Sequence, residues 1–273
     1  EKSIELHPIH IEISSNLYDS SGRKYGLGSS AAIVVAVITS ILKVSTRGMY
    51  QPKHKDIYKL SAIAHYRVQG NGSAADIAAS TYGGWLCYSV FDAAWLLEEL
   101  KQNTNIAQII DKPWPRLMIK PITPPSKLYF CVGWTGEVAR TGPMVNKIQK
   151  LKKTDPDSYQ QFLKSSNSAV TKLVASFEKQ DISGILASLK ENRRALRLLG
   201  EQAGTLIETD KLKELSDLAD KFGAGKSSGA GGGDCGIALV TQKRDIPNLH
   251  KLWEEAGILP LDLKVSSIGA IVD

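Results

Sequence analysis

The sequence predicts an α+β protein of two domains, residues 1–115 and 116–273. Three observations carry this reading. Stretches with strand-like alternation and stretches with helical periodicity follow one another without the regular strand–helix–strand order of a parallel α/β sheet. Residues 112–126 hold five prolines (Pro113, Pro115, Pro121, Pro124 and Pro125), which argue against helix there and mark a change of domain. Beyond the prolines the chain turns helix-rich before it closes in short strands and one more helix.

Taken in order, residues 7–17 alternate apolar and polar around Ile9, Ile11 and Ile13, the pattern of a half-buried strand. Residues 18–25 are a polar turn. Residues 29–44 are helix, apolar on nearly every face and therefore expected to be buried all round. Ile33, Val34, Val35, Val37 and Ile38 are poor helix formers, so tertiary packing must hold that helix. Residues 55–68 read as an amphipathic helix, broken by Gln69-Gly70-Asn71-Gly72. Ser73 is expected to cap a short helix through Ser80, with Asp76 in its first turn. A strand over 84–90 and a helix over 93–101 follow. Strands are expected near 117–119 and 128–132, then helices over 141–151, 156–178, 181–203 and 208–222. After a second glycine cluster, a strand over 237–240, a helix over 246–256 and a closing strand over 261–265 complete the chain.

Composition bounds the function. An apolar share of 42% with 23% charged residues is ordinary for a globular enzyme, and the net charge is a modest +6. There is no dense basic run with interleaved aromatics, so nucleic acid is not an expected partner. Cys87, Cys131 and Cys235 are odd in number and far apart, with neither a disulfide framework nor zinc-site spacing, which favours a reducing, cytoplasmic setting. The most apolar run, residues 31–42, is too short to cross a bilayer, so no membrane partner is expected. Glu1-Lys2-Ser3 does not read as a signal peptide, and without a Met the true N-terminus is expected elsewhere.

Two glycine-serine stretches carry the chemistry. Gly26-Leu27-Gly28-Ser29-Ser30-Ala31-Ala32 runs straight into an apolar helix. Glycines permit the tight turn, and the helix start offers unpaired N–H groups at the positive end of a dipole, a cradle for phosphate. It is not a dinucleotide fingerprint, because no strand leads into it and residues 46–50 hold no acid. Nor is it a P-loop, since no Gly-Lys-Ser/Thr closes it. The second stretch is Gly225-Lys226-Ser227-Ser228-Gly229-Ala230-Gly231-Gly232-Gly233-Asp234-Cys235-Gly236. Its first five residues match a nucleophile elbow, but a helix leads in and only His250 follows as a triad histidine. The five glycines among 229–236 serve no evident packing purpose, so they read as a flat backbone surface for an anion. Between the two stretches stands Asp76. It is either a helix-start acid stabilised by the dipole or a carboxylate that orients or accepts a proton.

With these residues in view, the chain resembles the kinases of galactose, homoserine, mevalonate and phosphomevalonate (the GHMP kinases), and most of all the bacterial phosphomevalonate kinases. The Gly-Leu-Gly-Ser-Ser-Ala-Ala loop is similar to their phosphate-binding motif. Residues 69–76 with Tyr82-Gly83-Gly84-Trp85 resemble the catalytic-aspartate segment, and Val132-Gly133-Trp134-Thr135-Gly136 resembles a substrate-side strand end. Residues 226–236 resemble the third motif, where mevalonate kinases usually lack an acid at the place of Asp234.

The resemblance implies a GHMP N-terminal ATP-binding domain followed by a C-terminal ferredoxin-like α+β sandwich. It implies ATP-dependent phosphorylation of 5-phosphomevalonate to 5-diphosphomevalonate in the mevalonate route to isoprenoids, with ATP and Mg²⁺ as cofactors. By the same resemblance Asp76 is the catalytic residue. Lys24, Gly26, Leu27, Gly28, Ser29, Ser30 and Ala31 hold the ATP phosphates, with Ser29 or Ser30 also offered to the metal. Ser73, Trp134, Thr135, Ser228, Gly229, Ala230, Gly231 and Gly232 face the acceptor. Arg140 and Lys147 are basic candidates for the acceptor and read equally well as surface charge. Partners are small molecules; monomer and homodimer both stay open. Two departures stand out. Mevalonate kinases carry a metal-binding glutamate eleven residues before the aspartate, where this chain has His65. The family also begins with a Gly-Lys-Leu strand that nothing here matches, so the chain is expected to start about a quarter of the way into the family pattern. Another GHMP-type kinase such as a mevalonate kinase, or a non-catalytic ligand-binding fragment, remains the alternative.

Overall fold

The computed structural model describes residues 8–15, 22, 24–46, 52–70, 72–102, 105–139 and 141–271. The chain divides into two compact units: Glu1–Asn16 with Gly28–Ile122 and Val265–Asp273, and Leu17–Leu27 with Thr123–Lys264. The first unit runs past residue 115 to Ile122 because the strand over 118–122, which includes Pro121, pairs back into it.

In the first unit the order is α1 (Ser29–Ser45), α2 (His54–Gln69), α3 (Ala75–Tyr82), β1 (Trp85–Ser89), α4 (Ala93–Gln102), α5 (Ile106–Asp111) and β2 (Met118–Ile122). β1 and β2 pair antiparallel, with Cys87 opposite Lys120. The core joins Ala31 and Val35 of α1 to Tyr58, Ala62 and Ile63 of α2, Ile77 and Ala78 of α3, and Phe91, Leu96, Ile109 and Trp114. α1 forms as expected, but it is not buried all round. Ala31, Val35 and Thr39 make one buried stripe at four-residue spacing, while Ala36, Ser40 and Val44 are exposed. The helix packs on α2 and α3 along that stripe, which leaves its other faces half-covered.

Other expectations need correction. Residues 8–15 lie in neither strand nor helix, and Ile9, Ile11 and Ile13 are exposed. Alternation can bury one face of a strand, but a strand exists only through its ladder. Ser73 does not cap α3. The N-cap is Ala74, and Ser73 Oγ instead accepts the Ala75 N–H at 3.3 Å. The short helix α5 falls where no helix was expected; Asn105 starts it by accepting the Gln108 N–H.

Lys59 illustrates what holds this unit. Its side chain is fully buried on α2, yet its ammonium donates to the carbonyls of Ile110 and Lys112 at 2.6 Å each and lies 5.3 Å from the Trp114 ring centroid. Burial pulls its pKa down to about 8. The Asp56 and Asp111 charges oppose a further fall, so the ammonium stays mostly charged at neutral pH, with the two carbonyls and the ring around it. Lys59→Met strands both carbonyls, so it is expected to destabilise the unit by about 2–3 kcal/mol. Thermal denaturation checks this as a fall in Tm of roughly 5–10 °C.

In the second unit the order is β3 (Tyr129–Trp134), α6 (Thr141–Thr154), α7 (Pro156–Glu178), α8 (Ile182–Ala203), α9 (Asp210–Ala219), β4 (Gly223–Ser227), β5 (Cys235–Val240), α10 (Ile246–Glu255) and β6 (Leu259–Leu261). The strands form an antiparallel sheet in the order β4-β5-β3-β6. Numbered within the unit this is 2-3-1-4, the split βαβ order of the ferredoxin-like plan, with α6 to α9 inserted between its first two strands. Alternation along β3 and β5 separates two faces. Cys131, Ala238 and Val240 pack with Leu215 of α9 and Leu249 and Trp253 of α10. Val132, Trp134 and Cys235 turn the other way, toward Tyr25 and Leu27.

The strand β4 replaces the opening of what the sequence presents as one glycine-rich loop, so the loop proper is residues 228–234. Gly225 explains why glycine belongs in this strand: a Cβ there would stand 2.7 Å from Ala219 and 2.8 Å from the Ser216 backbone of α9. The closing strand lies at 259–261 rather than 261–265, because its partner residues on β3 are Val132 to Trp134.

Candidate active site

The phosphate-loop motif is shared between the units. In the first unit, Gly28 caps α1 in the left-handed conformation (φ 78°, ψ 32°), which glycine adopts without a side-chain penalty. Ser29, Ser30 and Ala31 form the first turn, and their N–H groups have no partner within the helix. No side chain caps them and no acid stands in that turn. The result is a bare, positively polarised helix start.

Asp76 lies against it. A Cβ placed on Gly28 would stand 3.3 Å from the Asp76 Cβ, so the carboxylate-bearing residue borders the phosphate loop itself. Asp76 is exposed, and its Oδ1 accepts the N–H of Ile77 at 3.0 Å. The helix that carries it is entered through its N-cap Ala74, a buried non-glycine residue at φ 53°. Such a left-handed residue stores about 1–2 kcal/mol of strain. Ser73 is exposed next to it. His65 on α2 is buried, and its Nε2 has no hydrogen-bond partner among the described residues.

In the second unit, Lys24 is exposed, and Tyr25 packs edge-on against Trp134 with ring centroids 5.2 Å apart. The Tyr25 carbonyl accepts the Cys235 thiol. Gly26 (φ 74°) sits directly on Asp234; a Cβ there would come within 2.4 Å of the Asp234 carboxyl carbon. Thr135 donates both its N–H and its hydroxyl to the Asp234 carbonyl. Asp234 donates its own N–H to the Glu137 carbonyl and accepts the Ala139 N–H on its carboxylate. Burial raises the Asp234 pKa, and the Ala139 hydrogen bond opposes that. Within this unit Asp234 is thus the post that holds Gly26 against the glycine loop, a role that sequence reasoning left unassigned.

The loop over 228–234 is rigidly shaped. Gly229, Gly231, Gly232, Gly233 and Asp234 all have positive φ. Contrary to expectation three of these glycines do have a packing purpose. A Cβ on Gly231 would meet the Ile207 carbonyl at 2.2 Å, one on Gly232 the Met144 sulfur at 2.8 Å, and one on Gly233 the Glu137 carbonyl at 2.9 Å. The Gly232 N–H donates to the Ile207 carbonyl, whereas the N–H groups of Gly229, Ala230 and Gly233 donate to nothing among the described residues. Those three amides are available to an anion.

Trp134 and Thr135 are buried, and the Thr135 hydroxyl donates to the Asp234 carbonyl. Lys147 donates to the Gly204 carbonyl at 2.7 Å and lines a cavity of about 900 Å³ with Met144, Arg197 and Gly232. Arg140 lies outside the described residues. Burial raises the Cys131 thiol to about 11, and burial with the Asp234 charge raises Cys235 to about 12, so neither is a nucleophile at neutral pH. Among the described residues no helix is long and apolar enough to cross a membrane, and no group of three or more His, Cys, Asp or Glu side chains could hold a metal.

This arrangement can be compared with known proteins. The model for the GHMP kinases N terminal domain matches residues 1–84, and that for the GHMP kinases C terminal domain matches residues 165–258. A phosphomevalonate kinase from Streptomyces sp. (strain CL190) is 35% identical over 271 residues, spanning 96% of this chain and 70% of that enzyme. Among solved structures, the Lin0012 protein of Listeria innocua is similar with a TM-score of 0.87 at 42% identity, over 93% of this chain and 70% of that one. The Streptococcus pneumoniae phosphomevalonate kinase in complex with phosphomevalonate and AMPPNP is similar with a TM-score of 0.79 at 29% identity, over 92% of this chain and 71% of that one. A bare helix start bordered by a carboxylate, a rigid anion-ready glycine loop and these likenesses lead to one conclusion: the chain is a kinase homologue that belongs to the phosphomevalonate kinases of the GHMP family.

Proposed function

We propose that this chain serves the transfer of the γ-phosphoryl group of ATP to the phosphate of 5-phosphomevalonate, giving 5-diphosphomevalonate and ADP, with Asp76 at the point of transfer. The observation that carries the reading is the approach of Asp76 to Gly28, which sets a carboxylate beside the bare start of α1. Phosphoryl transfer asks mainly for positioning and charge stabilisation. The N–H groups of Ser29, Ser30 and Ala31 hold donor phosphate oxygens, with Gly26, Leu27 and Gly28 shaping the turn and Lys24 adding charge. The acceptor is itself an anionic phosphate, mostly ionised at neutral pH, so little base strength is needed. Asp76 therefore orients the acceptor and manages its residual proton. In the second unit the free amides of Gly229, Ala230 and Gly233, with Ser228, suit a phosphate or carboxylate of the acceptor; Ser73 is a further candidate in the first unit.

Mg²⁺ suits this donor set when it arrives on ATP, because it keeps several waters and asks for only one or two protein oxygens, here Ser29, Ser30 or Asp76. His65 is a poor ligand for it. Three free cysteines fit a cytoplasmic setting.

The test is ADP release with ATP and either mevalonate or 5-phosphomevalonate. Turnover of 5-phosphomevalonate alone is expected. Turnover of mevalonate but not of its phosphate would overturn the substrate, and ATP binding without turnover of either would overturn catalysis by this chain.

A further inference from the structure

We propose that Tyr88 is a positioning residue for Asp76, acting through the backbone of Ser73 and itself fixed by Tyr58; the inference rests on the reading of Asp76 given above. Three hydroxyl and carbonyl groups from separate elements form one chain. The Tyr88 hydroxyl, on β1, donates to the Ser73 carbonyl at 2.5 Å. The Tyr58 hydroxyl, on α2, lies 2.8 Å from the Tyr88 hydroxyl. A carbonyl only accepts, so the single Tyr88 proton is spent on Ser73, and Tyr58 must be the donor to Tyr88. The direction of the chain is thereby set: Tyr58 to Tyr88 to Ser73.

What the chain holds is the strained entry to α3. Ser73 directly precedes Ala74, the left-handed N-cap, which has no side-chain capping bond of its own. Ala74 in turn accepts the Ala78 N–H, and Asp76 lies two residues on. The peptide joining Ser73 to Ala74 thus sets the direction in which the first turn of α3 leaves, and with it the position of the Asp76 Cβ against Gly28. A strained backbone persists only where its surroundings over-determine it. Here the surroundings are rigid, for Tyr58 is fully buried and its ring meets those of Tyr88 and Trp114 edge-on or tilted. Burial, helped by the Asp76 charge, raises the pKa of both phenols, so both remain donors across the working pH range.

Tyr88→Phe removes one hydroxyl and keeps the ring. The expected result is a roughly tenfold fall in kcat for 5-phosphomevalonate with KM within about twofold, a size in line with small misplacements of reacting groups. Amide exchange over residues 73–80 is expected to quicken about tenfold, with the rest of the first unit unchanged. Tyr58→Phe leaves the Tyr88–Ser73 bond and is expected to give a smaller change of the same kind. Parental kcat and parental exchange over 73–80 in Tyr88→Phe would overturn the proposal. So would faster exchange spread evenly over the unit, which marks a general loss of stability. Asp76→Asn measured alongside separates the two ideas. If that variant keeps its activity, the reading of Asp76 fails, whereas localised exchange in Tyr88→Phe still reports the hold on Ser73.

Discussion

Asp76→Asn is expected to lower kcat by roughly two orders of magnitude or more, the size typical of a lost proton-handling group. The substitution is isosteric, and its amide oxygen can still accept the Ile77 N–H that Asp76 Oδ1 accepts now. The start of α3 therefore survives. Loss of the charge at the helix N-terminus costs under about 1 kcal/mol at an exposed site. Thermal stability should thus barely move while turnover collapses, and KM should change less than kcat, as for a group that acts mainly in the transition state. ADP release and a melting curve on the same preparation check both halves. A near-parental kcat would return Asp76 to the role of a helix-start acid.

Arg193→Leu is expected to be the most destabilising single change in the second unit, by about 3–5 kcal/mol. Arg193 on α8 is buried, and its guanidinium reaches four partners. Nε and Nη2 donate to the Glu208 carboxylate at 2.6 and 3.2 Å; Nη2 also donates to Asp217 at 2.6 Å and to the Lys213 carbonyl, and Nη1 donates to Asp220 at 3.0 Å. Glu208 is itself only 5% exposed. Leucine would leave it buried, with Arg197 at 3.4 Å as its remaining ion-pair partner among the described residues. Glu208 also follows directly on Ile207, whose carbonyl carries the Gly232 N–H, so the glycine loop should loosen with the clamp.

Acid acts on the same clamp. Burial opposes the charge on Asp217, but hydrogen bonds from Lys213 and Arg193 outweigh it and hold its pKa below the ordinary range. That contribution is whole above the unfolded value of about 3.9 and is lost as pH falls through the lower folded one. The gap in melting temperature between the parent and Arg193→Leu should therefore narrow as pH falls below about 4.

Local pattern was enough for some of this and not for the rest. The glycines at 26 and 28 announced positive φ and a helix start, and both hold, because a turn of that shape is specified within a few residues. The helices at 156–178 and 181–203 were legible from their spacing, since each buries one face on the other. The alternation over 7–17 misled because no local pattern records whether a ladder partner exists. The strand over 223–227 was hidden because its residues are glycine, alanine, lysine and serine, chosen by the close approach of α9 rather than by strand propensity. Arg193 sat unremarked in an amphipathic helix, since its partners lie 15 to 27 residues away. Tyr88 was equally silent, because its bond to Ser73 depends on where β1 sets a side chain.

The route of the chain has a consequence for how the protein is made. The Gly84 N–H donates to the Ser266 carbonyl, and the Ala270 N–H to the Thr81 carbonyl. Gly83 and Gly269 are glycines because backbone from each side presses on the other. These bonds join the end of α3 to residues that the ribosome delivers only after the whole sheet of the second unit. The segment bearing Asp76 therefore cannot finish folding early in synthesis. Its last contacts are among the most distant in sequence, the kind that slow folding most, and the second unit is free to fold first around its own contiguous strands.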